Sequence, residues 1–212
     1  HLVEALVVTG NNVIVVDDQR AGKFKIKDDN VQYVTQEVCS VDIKGKCDGI
    51  IHLANTPRIR LANKKPLLAL RNGIDPTIHV AEMARKFNCP LYFASSSSTI
   101  YTDRTSNPYT LSKAVSEDIL NMYQELYGVT SYIMYFYNVY GPREANYGEH
   151  STAIRSFKTA VQTGNPLRIF GTGKKTRDFT HVYDVVDGML NLLLMEKKPK
   201  QTHFGRGDPY SI

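Results

Sequence analysis

Tyr109 and Lys113 stand four positions apart at the start of an amphipathic segment, and a run of hydroxyls, Ser95 to Ser98, lies a short loop upstream. At 3.6 residues per turn the phenol and the ammonium share one face of a helix. A phenol with a pKa of about 10 is a poor base at neutral pH, and a fixed ammonium nearby favours the phenolate. A serine hydroxyl close by can hold the substrate oxygen whose proton is exchanged. Such a trio suits proton transfer at an alcohol oxygen. As a bare pattern it is weak, because 13 tyrosines and 26 basic residues would produce a Tyr-x-x-x-Lys pair by chance. Its position strengthens it, since the pair opens a helix one loop after a strand that ends in serines.

The elements that must position these residues read as follows. From Pro108 to Tyr127 the apolar residues Leu111, Val115, Ile119, Met122 and Leu126 recur at threes and fours, and Gly128 stops the helix. Leu91–Ala94 is a buried strand before it, Val129–Phe136 a strand after it, and Asn138–Arg143 a loop. Upstream, a helix over His1–Val8 closes at Thr9-Gly10, and Val13–Val16 is a β-branched run ending in Asp17-Asp18. Such a run marks a strand buried on both faces of a parallel sheet. Further strands are expected at Val31–Val34 and Asp48–Leu53, with a polar passage between them that includes Val41-Asp42-Ile43. A helical region from Leu67 to Ala84 is interrupted or restarted at Asp75-Pro76, with Asp75 as N-cap and Pro76 at the first helical position. Beyond Pro142 come a helix over Ser151–Thr163 closed by Gly164, a strand over Leu167–Phe170, a loop over Gly171–Thr176, the Arg177–Val182 stretch and a helix over Tyr183–Met195. Strands alternating with helices predict an α/β fold with a doubly wound parallel sheet.

Composition narrows the function classes. A chain of 212 residues, 42% hydrophobic and 22% charged, can bury a real core and is far from a disordered composition. The net charge of +5 suits an anionic ligand, but the Lys23–Lys27 and Lys197–Lys200 clusters read as solvated surface, so no nucleic-acid partner is expected. No apolar run approaches the roughly 20 residues of a membrane span, and no signal peptide is evident. Cys39, Cys47 and Cys89 have no metal-ligand spacing and an odd count, which fits reduced thiols in a cytoplasmic protein. No Cys/His/carboxylate cluster suggests a metal.

Several residues have a bland reading beside a functional one. Asp17 at the end of a strand is placed to bond an adenosine ribose, or is a turn aspartate. Ser95–Ser98 can be an ordinary polar loop, Arg177 and Asp178 a surface ion pair, and Asn138 a turn cap. His52 and His181 sit in apolar contexts and read as buried, hydrogen-bonded histidines rather than ligands.

Together the phrases His1–Leu6, Val13–Asp17, Ile50–Ala54, Phe93–Ser98, Pro108-Tyr109-x-x-x-Lys113, Tyr137–Arg143, Pro166–Gly171 and Arg177–Val182, in that order, resemble the extended short-chain dehydrogenase/reductase family, in its nucleotide-sugar epimerase and dehydratase branch. The resemblance implies a Rossmann-type NAD-binding domain over 1–142 and a smaller, incomplete sugar-nucleotide region over 143–212, of which 177–196 would pack back on the first. It implies tightly held NAD, with Asp17, and Asp18 beside it, at the adenosine ribose, Asp42 and Ile43 by the adenine, and Leu53, Ala54 and Tyr137 along the cofactor. Tyr109 would be the acid/base. Lys113 would bind the nicotinamide ribose and lower the Tyr109 pKa. Ser96, counted from Phe93, or Ser97, counted back from Tyr101, would hold the sugar 4-hydroxyl. Asn138, Arg168, Phe170 and Arg177 would contact the sugar nucleotide, with Arg177 at the diphosphate, where a guanidinium offers paired donors. The family commonly forms homodimers through two helices, one of them bearing Tyr109.

The chain departs from the family pattern in places. The glycine-rich loop would precede His1, only seven residues separate Tyr101 from Tyr109, and the family continues beyond Ile212. These departures lead to the expectation that the sequence is part of a longer protein, which an intact mass of 23.9 kDa would refute. A 4,6-dehydratase of this branch needs an acidic residue just after the active-site serine. Ser97, Ser98, Thr99 and Ile100 supply none, which favours C4 epimerisation of a UDP-hexose-like substrate and disfavours a UDP-glucuronate decarboxylase. The alternatives are a dehydratase or reductase of another nucleotide sugar and, in a different class, an inactive NAD-binding scaffold.

Overall fold

The structure, a computed structural model, describes residues 1–20, 22, 24–56, 58–144, 152–169 and 172–211. In chain order its strands are β1 (Val13–Val16), β2 (Val31–Val34), β3 (Ile50–His52), β4 (Leu91–Ser96), β5 (Ser131–Phe136), β6 (Thr176–Arg177), β7 (Gln201–Phe204) and β8 (Tyr210–Ser211). Its helices are α1 (Leu2–Val8), α2 (Ile59–Lys64), α3 (Pro66–Phe87), α4 (Ser98–Tyr101), α5 (Pro108–Tyr127), α6 (Ala153–Gln162) and α7 (Val182–Leu194). β1 and β2 pair in parallel, and β3, β4, β5 and β7 form a parallel sheet in that order. β6 and β8 make a short antiparallel ladder.

The central strands are covered on both faces. Successive side chains in a strand point to opposite faces. Leu91 and Phe93 of β4 and Ile133 and Tyr135 of β5 therefore turn toward Val80, Ala81 and Ala84 of α3 and Leu120 and Tyr123 of α5. Tyr92 and Met134, one residue out of phase, meet Val185, Met189 and Leu192 of α7 and Phe204 of β7. Leu91, Phe93 and Leu120 are fully buried. Register across the middle runs from Leu91↔Ser131 to Ser96↔Phe136, so β4 and β5 end together. In a parallel sheet the carboxyl ends of the strands are where ligands bind.

α5 begins where the sequence expects, because Asn107 accepts the Thr110 amide at 2.9 Å through its side chain and Pro108 needs no donor in the first turn. It ends at Gly128, whose φ of 70° is the left-handed conformation that closes a helix.

The Asp75-Pro76 boundary is not there. α3 runs unbroken from Pro66 to Phe87 with Pro76 inside it, and the proline that starts the helix is Pro66. An internal proline disturbs the carbonyls of the preceding turn. Here the Gly73 carbonyl accepts Thr77 Oγ1 at 2.8 Å and Ser116 Oγ at 3.2 Å, so side chains hold the disturbed turn. The strand expected over Leu167–Phe170 is also not found: residues 165–169 are irregular and exposed, and Phe170 and Gly171 lie outside the described residues. β7 and β8 are not foreseen by the sequence patterns. Cys39, Cys47 and Cys89 are free thiols. Among the described residues no helix is long and apolar enough to cross a membrane, and no group of three or more His, Cys, Asp or Glu could hold a metal ion.

Candidate active site

Ser96 closes β4, and the chain turns there into the single turn of α4. The Ser97 main chain holds this turn: its amide donates to Phe136 O at 3.1 Å and its carbonyl accepts from Ile100 and Tyr101. Ser96 instead presents its hydroxyl. Its Oγ accepts from Ser98 N at 3.2 Å and from Ser98 Oγ at 3.0 Å, and it is near enough to the Tyr109 phenol, at the first turn of α5, to pull that group's pKa down. Of the two candidate serines, Ser96 is the one whose hydroxyl acts on the Tyr109 phenol.

Loss of hydration pushes the Tyr109 phenol above its ordinary pKa, against the Ser96 hydrogen bond and the charge of Arg58, which both pull it down. Arg58, whose φ of 110° places it in a strained turn before α2, was not singled out from the sequence. Its guanidinium is desolvated and feels the charges of Glu144 and Tyr109.

Lys113 lies one turn further along α5 and only 3% exposed. The expected effect of its ammonium on Tyr109 is not what this arrangement shows. Lys113 Nζ donates to the Ala94 carbonyl and lies 4.6 Å from the centre of the Phe93 ring. A buried ammonium must take a nearby acceptor, and the acceptor it takes belongs to β4. Burial lowers the Lys113 pKa to about 7, and the Glu117 carboxylate opposes that fall. His52 packs against Phe93 and pairs with Thr77 Oγ1 at 3.2 Å. Burial, and the Lys113 charge after it, push its pKa down to about 3, so it is a neutral, buried histidine. His181 is instead half-buried and caps α7, accepting from Tyr183 N at 3.3 Å.

A residue the sequence analysis passed over ties this corner together. Glu117, two turns beyond Tyr109 on the same face of α5, accepts hydrogen bonds from Ser95 Oγ, from Thr99 Oγ1 at 3.2 Å and from Tyr135 OH at 3.0 Å. The spacing of Tyr109, Lys113 and Glu117, each four residues from the last, is a signal that could have found it.

The other expected residues are placed unevenly. Asp17 and Asp18 end β1 and are exposed; Asp17 Oδ1 accepts the Gln19 amide at 2.6 Å in a turn, and Asp18 pairs with Arg20 at 2.7 Å. Leu53, 46% exposed, and Ala54 follow β3 on the Ser96 side of the sheet. Asp42 and Ile43 do not join them. Asp42 is held by Lys44 at 2.7 Å and by Lys86 at 3.1 Å, in the last turn of α3, at the end of the sheet where β4 begins. Both bonds hold its carboxyl below the ordinary carboxylate pKa. Tyr137, just past β5, is buried; its hydroxyl pairs with His203 Nδ1 at 2.8 Å and its ring meets Tyr101 edge-on. Asn138 donates to the Asp178 carbonyl at 2.8 Å, and the Asp178 carboxylate accepts the amides of Arg206 and Gly207. Arg177 stands exposed in β6 opposite Tyr210, its guanidinium on the Thr176 carbonyl. Arg168 is exposed in an irregular stretch, and Phe170 lies outside the described residues.

Comparison with known proteins places this geometry. The profile of the NAD dependent epimerase/dehydratase family matches residues 1–205. The UDP-glucose 4-epimerase of Mycolicibacterium smegmatis is 28% identical over 212 residues, covering 89% of this chain and 67% of that protein. The UDP-N-acetyl-alpha-D-glucosaminuronate decarboxylase of Bacillus cytotoxicus is 26% identical over 235 residues, covering all of this chain and 73% of that protein. Among solved structures, the UDP-glucose 4-epimerase of Thermotoga maritima with UDP-glucose superposes with a TM-score of 0.88 at 24% identity, over all of this chain and 74% of that one. That likeness establishes the Rossmann-type fold.

Proposed function

Because this chain belongs to the NAD dependent epimerase/dehydratase family, we propose that it inverts C4 of a nucleotide-diphosphate hexose, a UDP-hexose, by way of a 4-keto sugar. The cofactor is the family's NAD. The residues present fit it. Both polar atoms of the Asn55 side chain, in the loop after β3, are buried without a partner, the apolar Leu53 beside it is exposed, and two carboxylates end β1. A polar dinucleotide laid across these strand ends would satisfy them.

When bound, NAD supplies the acceptor and donor of the C4 hydride. The protein's own part is the proton. Tyr109 takes it from the sugar 4-hydroxyl and returns it after the keto sugar has turned its other face. Ser96 holds that oxygen, and Arg58 adds positive charge that eases formation of the phenolate. Lys113, with its pKa near 7, is a donor for the nicotinamide ribose. Arg177, Asn138, Arg168 and Phe170 are assigned to the sugar nucleotide, Asp17, Asp18 and Tyr137 to the cofactor. The observation that carries the reading is that Ser96, at the carboxyl end of β4, meets the Tyr109 phenol and pulls its pKa down.

Glu117 is not the second acid that a dehydratase requires, because its oxygens are taken up beneath the turn. Glu144 favours a second reading: its charge and that of Tyr109 both reach Arg58, and a carboxylate there suits a dehydratase or decarboxylase. Incubating the NAD-loaded protein with UDP-glucose and following products by NMR separates them. UDP-galactose supports the epimerase, and a 4-keto-6-deoxy sugar the dehydratase. No reaction with UDP-glucose, UDP-galactose or UDP-glucuronate means an inactive scaffold.

Exposed Leu68 and Ile78 on α3 and Met122 and Leu126 on α5 support a homodimer through these helices. Sedimentation at the monomer mass would overturn that assignment. The three free thiols suit a cytoplasmic location.

A further inference from the structure

We propose that Glu117 is a positioning residue for this site: its carboxylate gathers three hydroxyls and so fixes the turn that sets Ser96 against Tyr109. The inference rests on the assignment of Ser96 and Tyr109 to the proton transfer.

The three donors come from three different elements. Ser95 is the residue before Ser96 in β4, Thr99 lies in α4 just past it, and Tyr135 belongs to β5 alongside. Ser95 is 3% exposed and Tyr135 is 4% exposed. Hydroxyls buried this deeply need an acceptor, and a carboxylate offers about four lone-pair sites on two oxygens. Bonds to a charged acceptor are roughly twice as strong as neutral ones. Ser96 is therefore bracketed: Ser95 before it is fastened to this helical side chain, and the Thr99 hydroxyl after it shares its one proton between the Ser96 carbonyl at 2.9 Å and the same carboxylate at 3.2 Å. That helix is the one that carries Tyr109, so serine and phenol are registered through a single element. The Ser96 hydroxyl itself makes no bond to Glu117 and is left for Ser98 and Tyr109. Glu117 also lies one turn from Lys113, on which its charge acts.

The test uses hydrogen exchange by mass spectrometry on the full chain, beside steady-state kinetics of the NAD-loaded protein. In Glu117→Ala, exchange over residues 95–101 should rise about tenfold or more, with the α3 and β5 segments near wild type. kcat should fall by about tenfold or more while KM and NAD affinity stay within about twofold, since positioning acts in the transition state. Glu117→Gln keeps an acceptor for Ser95 and Thr99 and should restore both readouts to within about threefold. Unchanged exchange over 95–101 in Glu117→Ala overturns the proposal whatever the activity does. So does a Glu117→Gln protein with wild-type exchange and the full kinetic loss, which would assign the effect to charge. If Glu117→Ala does not fold, Tyr135→Phe removes one donor and should raise the same exchange by a smaller factor; no rise there overturns the proposal. Tyr109→Phe run in parallel separates the two failures: full activity in that variant refutes the site assignment, while exchange in the Glu117 variants still reports on the turn.

Discussion

A β-carbon added to Gly73 would lie 2.6 Å from both the Cβ and the Oγ of Ser112, so α3 and α5 cross where only a hydrogen fits. Ser112 Oγ in turn donates to the Tyr109 carbonyl at 2.8 Å, which places this contact directly behind the turn that carries the proposed acid/base. Alanine is the better helix former by about 1 kcal/mol, but both crossing helices are held in a dense core. Gly73→Ala is expected to lose about 1–3 kcal/mol of stability, the usual result of overpacking. Urea unfolding measures it, and a gain in stability would mean that the helices part freely.

Ser96 and Ser97 should separate cleanly in kinetics. Ser96→Ala removes the hydroxyl that meets Tyr109 and is expected to lower kcat by about 100-fold. Ser97→Ala leaves the amide on Phe136 in place and should change kcat by no more than about threefold. The opposite ranking would move the catalytic serine by one position.

Tyr109→Phe keeps the ring and removes the proposed acid/base. Turnover should drop by about 10²–10⁴-fold, with NAD still bound as judged by absorbance after gel filtration. Undiminished turnover would refute the role of the phenol.

His52 predicts an acid limb in stability. Its pKa is about 3 when folded and about 6.5 when unfolded. Between those values the unfolded chain binds the extra proton, so stability rises with pH across that window and is lost as pH falls from about 6.5 toward 3. His52→Gln should flatten the limb by about 1.4 kcal/mol per pH unit, the worth of one proton. Urea midpoints measured at pH 4, 5 and 6 check this; parallel curves for the variant and the wild type would exclude His52 as the cause.

Local rules made α5 legible in the sequence, since Asn107, Pro108 and Gly128 each satisfy a backbone need at its ends. The same rule misled at Pro76. The side chains that repair its turn, Thr77 and Ser116, are far apart in sequence and meet only in the fold. The resemblance put Asp42 by the adenine, whereas its partner Lys86 on α3 could not be read from the passage around Asp42. Tyr109 and Lys113 announce themselves by spacing. Arg58 and Glu117 do not, because their meaning lies in what the tertiary structure sets beside them. Gln201–Phe204, no shorter than β1 but reading Gln-Thr-His-Phe, lacks the apolar β-branched run that marks a strand without β5 as its neighbour.

That last pairing has a consequence for how the substrate side can change. β5 and β7 are adjacent parallel strands, so the backbone leaves the sheet after Phe136 at its carboxyl end and rejoins it at Gln201, beside Ile133 at the amino end of the same pair. The intervening chain, which holds Asn138, Arg168 and Arg177, is a crossover that returns through α7, whose Val185, Met189 and Leu192 pack on the sheet. Residues can be exchanged, added or removed within its outer part without shifting the register of a single core strand. On the proposed reading, selectivity for the sugar and the base can therefore drift over generations while Ser96, Tyr109 and Lys113 stay where they are.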